Sequence, residues 1–348
     1  MWKYQPLQRL DNMEKRKQVL SCIQPTGNLH LGRYFGALRY WVGLQAQYDC
    51  IYGIVDYHAM TMPYNPKKLR EATWELAFNM IAVGIDADNI FVQSAVPEHA
   101  ELAWIFNCMT SYGALGRMVQ FKDKSAQVTN ESKDAFISAG LFTYPILQAA
   151  DILIYRADFV PVGDDQDQHL ELTRSIARRF NNVVGKEYFV LPETLHTETP
   201  RIMSTADPQI KMSASKGDKH NINIFAEPAF IRKQVRSAVT DTGETTGEMS
   251  SGVSNLFNLL NASGEKAIAQ EFMEAYTKGS LQYSSLKEAV ADAIIKLTDP
   301  FRQKKLEIQG NKREYKERVK ASSEVIRASA KETVREVKEL VGLLSAKS

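Results

Sequence analysis

Cysteine is scarce. The 348 residues include three, Cys22, Cys50 and Cys108, far apart and without a C-x-x-C pair. That spacing argues against a zinc site or a disulfide framework and fits a reducing compartment. Long apolar runs are missing too. No stretch approaches about 18 residues, so no membrane span is expected and the chain reads as cytoplasmic. Neither sign of charge dominates: 43 Lys and Arg stand against 41 Asp and Glu, a formal charge of +2. This balance excludes a globally basic nucleic-acid coat and leaves only a local basic surface. No internal repeat is visible. Charged residues such as Lys3, Arg9 and the Glu14–Lys17 cluster interrupt any apolar leader, so residues 1–16 are expected to form a mobile extension, with Met13 as a second candidate start.

What is present is ordinary in bulk, 44% hydrophobic and 24% charged, and the length suggests two domains. The local pattern is more telling. Apolar runs at Val19–Ile23, Cys50–Val55 and Asn89–Ser94 alternate with helix-period segments at Tyr34–Gln45, Lys67–Val83 and Glu98–Thr110. Strands and helices at this pitch predict a parallel sheet covered on both faces. Ligands of such sheets bind at the carboxyl ends of the strands. Asp56 and His58 end the second run, and Gln24-Pro25-Thr26-Gly27-Asn28-Leu29-His30-Leu31-Gly32-Arg33 ends the first.

A glycine-containing turn between a strand and a helix is a ready phosphate site, because the helix start offers unpaired N–H groups and a positive dipole end. A P-loop is disfavoured, since Arg33-Tyr34 stands where its lysine and hydroxyl would be. Residues 121–138 read as a polar surface excursion. A helix from Gly140 to Leu153 carries Tyr144, Gln148 and Asp151. Asp158–Gly163 is a short strand, followed by the acidic start of another helix. Lys211-Met212-Ser213-Ala214-Ser215-Lys216 is a loop of small and basic residues. From Glu227 the pattern is helical, and Arg302–Lys338 interleaves basic residues with Glu as on a solvated face or a polyanion-binding one.

Two of these pieces, His30-Leu31-Gly32-Arg33 and Lys211-Met212-Ser213-Ala214-Ser215, resemble the HIGH and KMSKS signatures of the class I aminoacyl-tRNA synthetases. Further segments resemble the tryptophanyl branch of that family: Ile54–Ala59, Gln120–Ser125, Tyr144–Leu153, Val162–His169 and Arg201–Ser204. The resemblance runs from Lys17 to the C-terminus. It implies a Rossmann-like catalytic domain at 17–210, with an inserted, mostly helical segment near 118–195, and a loop plus helical anticodon-binding domain at 211–348.

The implied chemistry joins L-tryptophan to MgATP as an adenylate, then transfers it to tRNA(Trp). No organic cofactor and no protein-held metal are implied. A homodimer is expected and a membrane is not. The resemblance assigns catalysis to His30, Lys211, Ser213, Ser215 and Lys124. It assigns ATP to Gln24, Pro25, Thr26, Gly27, Gly32, Arg33, Gly163, Asp164, Asp165, Ile202, Met212 and Ala214. Tryptophan falls to Asp151, Tyr144, Gln166, His58 and Gln148, with the Asp151 carboxylate accepting the indole N–H. Ala214 replaces the second signature lysine, and Lys216 is expected to take over part of its contact. The alternatives are a tyrosyl-tRNA synthetase and a non-catalytic RNA- or protein-binding relative.

Overall fold

The computed structural model describes residues 16–344 apart from 120, 122, 124, 127–135, 163–166, 197–199 and 241–248. Five strands form one parallel sheet: β1 (Gln18–Ile23), β2 (Asp49–Ile54), β3 (Ile90–Val92), β4 (Phe159–Val162) and β5 (Glu193–His196), in the order β3-β2-β1-β4-β5. The chain builds outward from β1 on one side, then returns to extend the sheet on the other. The reversal between β1 and β4 leaves a crevice beyond their carboxyl ends, where such sheets take their ligands.

The period-two pattern of the strands divides two cores. Val19 and Ile23 of β1, Cys50, Tyr52 and Ile54 of β2, and Ile90 and Val92 of β3 face one core. It is shared with α2 (Arg39–Leu44), α4 (Pro66–Ala82) and four later helices: α9 (Pro228–Arg236), α10 (Ser251–Ala262), α11 (Lys266–Thr277) and α12 (Tyr283–Gly310). Leu20, Ile51 and Phe91 face the other core, with α5 (Glu98–Asn107), α7 (Ala139–Leu153) and α8 (Asp167–Val184). The short helix α6 (Tyr112–Gly116) packs against α7. The strands β4 and β5, which complete the sheet, lie within the span 118–195, and the first core holds residues from both sides of residue 210.

Local chemistry sets the helix starts. Asn65 Oδ1 accepts the Lys68 N–H and Pro66 opens α4, and Ser138 Oγ accepts the Leu141 N–H at the start of α7. The first helix begins earlier than the apolar period suggests. It is α-helical over Leu31–Arg33 (α1), π-helical over Tyr34–Leu38, and α-helical again through α2. The final helix, α13 (Lys312–Leu340), is half solvated and half core. Ile326, Ala330, Val334 and Val337 pack into the second core. Its basic residues meet acids beside the sheet: Arg318 with Asp86 and Asp88, Arg327 with Glu98, and Lys338 with Glu101. The exposed pairs at Asp86, Asp88 and Glu101 each contribute about 0–1 kcal/mol, while Glu98 is buried where Arg327 meets it, and the apolar stripe seats the rest of the helix.

Candidate active site

The turn after β1 is tight. Thr26 N–H donates to the Gln24 carbonyl at 2.8 Å, and Gly27 takes φ +66°. A Cβ at Gly27 would lie 2.9 Å from the Ala214 Cβ, so glycine is required both by the backbone and by the loop above it. Arg33 reaches back from α1, its Nη1 donating to the Thr26 carbonyl at 2.8 Å. Its guanidinium therefore braces the turn, and burial lowers its pKa.

His30 caps α1. Its Nδ1 accepts the Arg33 N–H at 3.3 Å, which puts the ring proton of the neutral form on Nε2. Burial, then the cations of Arg33 and Lys211, push its pKa down to about 4. His30 is thus a neutral donor in a field made by two positive side chains.

The loop carrying Lys211 closes on this turn. Met203 and Lys211 form an antiparallel bridge, Ser204 N–H donates to Ile210 and Met212 N–H to Ile202. Ile202 and Met212 are both buried, so each meets the first core with its side chain. The sulfur of Met212 accepts the Gly32 N–H at 3.4 Å, and a Cβ at Gly32 would come within 3.1 Å of the Met212 Cβ. Ala214–Lys216 forms a 3-10 turn over Gly27, with Lys211 and Lys216 exposed and Ser213 half-buried. Gln24 is half-buried and Pro25 buried beneath them. A second strap is made by Leu31 N–H to the Ile222 carbonyl and Ile224 N–H to the Leu29 carbonyl.

On the far side of the crevice, Tyr144, Gln148 and Asp151 share a face of α7 through their 4- and 3-residue spacing. Asp151 is 1% exposed. Its Oδ2 lies 2.8 Å from His58 Nε2. Gln93 Nε2 donates to its Oδ1 at 2.7 Å, and His99 Nδ1 also stands 2.7 Å from Oδ1. Burial alone pushes the Asp151 carboxyl up, but His58 and His99 more than reverse this and hold it below the usual carboxylate range. It is an anion within a cage of donors. His58 takes one lone pair of Oδ2 and leaves the other open, while Gln93 and the close His99 nitrogen, which is not aligned for a hydrogen bond, crowd Oδ1.

Tyr144 Oη lies 2.7 Å from His169 Nε2, and its ring meets His58 edge-on with centroids 6.2 Å apart. Burial pushes the Tyr144 pKa up to about 12, so it stays a phenol. Cys22 is the next-to-last residue of β1, near Asp151. Burial and then the Asp151 charge raise its thiol pKa, which keeps it protonated. Gln148 is half-buried on the same face.

The structure therefore brings together two clusters. Gln24, Pro25, Thr26, Gly27, His30, Gly32 and Arg33 meet Ile202, Lys211, Met212, Ser213 and Ala214, while His58, Tyr144 and Gln148 surround Asp151. Lys124, Gly163, Asp164, Asp165 and Gln166 lie outside the described residues, as does the side chain of Ser215. Sequence reasoning missed Gln93 and His99. Their signal was position: they follow β3 as Asp56 and His58 follow β2. Among the described residues no group of three or more His, Cys, Asp or Glu could hold a metal ion.

The family model for class I tRNA synthetases of the W and Y type matches residues 12–299. A tryptophan–tRNA ligase 2 of Streptomyces avermitilis is 44% identical over 340 residues, covering 95% of this chain and 98% of the relative. The chain belongs to the class I tryptophanyl-tRNA synthetases. Another relative, the tryptophan–tRNA ligase of Caldanaerobacter subterraneus, is 42% identical over 341 residues, covering 94% and 99% of the two chains. The crystal structure of the Campylobacter jejuni tryptophanyl-tRNA synthetase, complexed with ADP and tryptophan, superposes with a TM-score of 0.80 at 33% identity, covering 94% of this chain and all of that one. Within this synthetase, the two signature segments are the elements joined by Met212 and Gly32. Among the described residues no helix is long and apolar enough to cross a membrane.

Proposed function

We propose that the chain is a tryptophan–tRNA ligase working in two steps. The tryptophan carboxylate attacks the α-phosphorus of MgATP in line, giving tryptophanyl-adenylate and pyrophosphate. The terminal ribose of tRNA(Trp) then takes the tryptophanyl group. Such a displacement asks the protein for positioning and charge stabilisation rather than covalent chemistry.

The residues divide accordingly. The turn Gln24–Gly27 borders the phosphates and His30 offers its Nε2–H, while the N–H groups of Thr26, Leu31, Gly32 and Arg33 are already bonded within the fold and hold the turn in shape. Lys211, with no carboxylate paired to it among the described residues, meets charge that develops on the leaving pyrophosphate. Ser213 and Ser215 assist it, and Lys124 approaches from the polar excursion. Gly163, Asp164 and Asp165 border the nucleotide. Mg2+ arrives with ATP and bridges its phosphates. Tyr144, Gln148 and Gln166 line the amino-acid end. A homodimer in the cytoplasm, with the helices after 211 reading the anticodon, completes the proposal.

The observation that carries this reading is the buried, ionised Asp151 with one acceptor position open. An indole N–H fills it, whereas phenylalanine leaves it empty, at a cost of about 1–3 kcal/mol. Pyrophosphate exchange with each amino acid in turn tests it. Tryptophan alone is expected to support exchange. Exchange with tyrosine, or with none of them, overturns the assignment.

A further inference from the structure

We propose that Gln93 and His99 are positioning residues that act only through Asp151. By occupying the surroundings of Oδ1, Gln93 with a hydrogen bond and His99 with a close ion-pair contact, they leave Oδ2 as the oxygen open to the indole N–H. The inference rests on the tryptophan-activating function proposed above.

Both residues come from one short segment, the 3-10 turn Gln93–Ala95 and the first turn of α5. Each is fully buried and held from behind. The Gln93 amide cannot flip without loss, because its Oε1 accepts the Tyr57 N–H at 3.1 Å while its Nε2 faces Asp151. That same bond ties the turn to α3 (Asp56–Ala59), which carries His58. The His99 ring is pinned at its other nitrogen by Tyr155 Oη at 2.8 Å and stacks on Phe91 at 5.4 Å and 11°. Phe91 lies there because Gly53, beside it in register, has no side chain. A Cβ at Gly53 would stand 2.7 Å from Phe91 Cζ and 2.8 Å from Cys22 Sγ. The sheet thus supplies a flat floor for the imidazole, and the imidazole fixes the carboxylate.

A carboxylate has two equivalent oxygens and turns about its Cβ–Cγ bond. With the Gln93 donor and the close His99 nitrogen crowding Oδ1, and His58 on one side of Oδ2, the open lone pair of Oδ2 has one direction. Remove a donor from Oδ1 and the vacancy is shared between both oxygens, so the indole N–H loses its defined acceptor.

The test compares tryptophan with 3-benzothienylalanine, its isostere with sulfur in place of the N–H, in pyrophosphate exchange by the full chain. His99→Leu is expected to lower kcat/KM for tryptophan about tenfold or more through KM, the size of a lost charge-assisted hydrogen bond. The sulfur isostere is expected to lose less than about threefold, since it makes no such bond, and KM for ATP is expected to hold. His99→Asn, whose amide can take the place of Nδ1, is expected to restore most of the tryptophan activity. Where His99→Leu fails to fold, Tyr155→Phe keeps the ring and removes its pin, with a smaller loss expected on tryptophan alone. Equal losses on both substrates, or no rescue by asparagine, overturn the proposal. Wild-type chain that shows no tryptophan-dependent exchange overturns the functional reading instead.

Discussion

The sulfur of Met212 accepts the backbone N–H of Gly32 at 3.4 Å. These residues lie 180 positions apart, one in each signature segment, and their contact makes the two segments one wall of the crevice. Met212→Leu keeps the volume but leaves a buried N–H without an acceptor, at about 1 kcal/mol. The expected outcome is a KM for ATP raised roughly fivefold, with KM for tryptophan unchanged. Pyrophosphate exchange at varied ATP checks it.

Gly27 faces a stricter limit. Alanine there must hold φ +66° and places its Cβ 2.9 Å from the Ala214 Cβ. The backbone alone costs about 1–2 kcal/mol, and the clash displaces the loop. Gly27→Ala is expected to lower kcat/KM for ATP by about tenfold or more. Gly36 is the control: a Cβ there meets nothing within 4 Å, so Gly36→Ala is expected to keep activity and stability.

Those two contacts also show what a linear reading can reach. Both signature segments are contiguous; the glycine turn after β1 marks a phosphate site by residue type, whereas the lysine-bearing loop and Asp151 are legible only through the family resemblance, since a lone helical Asp by itself reads as solvated or paired. The cage around Asp151 is legible in neither way. Gln93 is 58 residues from Asp151, and only its place after β3 sets His99 apart from a core histidine. Arg33 resembles a phosphate ligand by its place beside His30; one of its five N–H groups also donates to the Thr26 carbonyl, a contact that the local pattern does not announce. Met212 resembles a flank for adenine, and the structure adds that its side chain is buried with its sulfur on the Gly32 N–H. In α13 the alternating charges suggest a solvated face. The smaller signal, apolar residues at 326, 330, 334 and 337, decides where the helix packs. The short edge strand β5 leaves no pattern long enough to read.

His30 yields a pH prediction. Its folded pKa is depressed to about 4 from an ordinary 6.5. Below pH 6.5 the unfolded chain binds a proton that the folded chain refuses. The stability this group contributes is complete above that pH and is lost as pH falls toward 4. The His30 ring resonances are expected to stay fixed between pH 8 and about 5.5 in an NMR titration. Movement centred near 6.5 would show that the imidazole is not held neutral.

Lys216 sits at the end of the 3-10 turn above Gly27, in reach of the role left by Ala214. Lys216→Ala is expected to slow pyrophosphate exchange about fivefold, and Lys211→Ala far more. Exchange at the wild-type rate in Lys216→Ala would remove Lys216 from the phosphate contacts.

Asp151 carries the central claim, that one buried carboxylate chooses the substrate. Asp151→Asn keeps the size and replaces one oxygen with an N–H2 that His58, Gln93 and His99 must then face. The decisive measurement is the pair of Michaelis constants of this variant in pyrophosphate exchange. KM for tryptophan is predicted to rise by about one to two orders of magnitude while KM for ATP stays within about twofold. An unchanged KM for tryptophan, or a KM for ATP that rises equally, would contradict it.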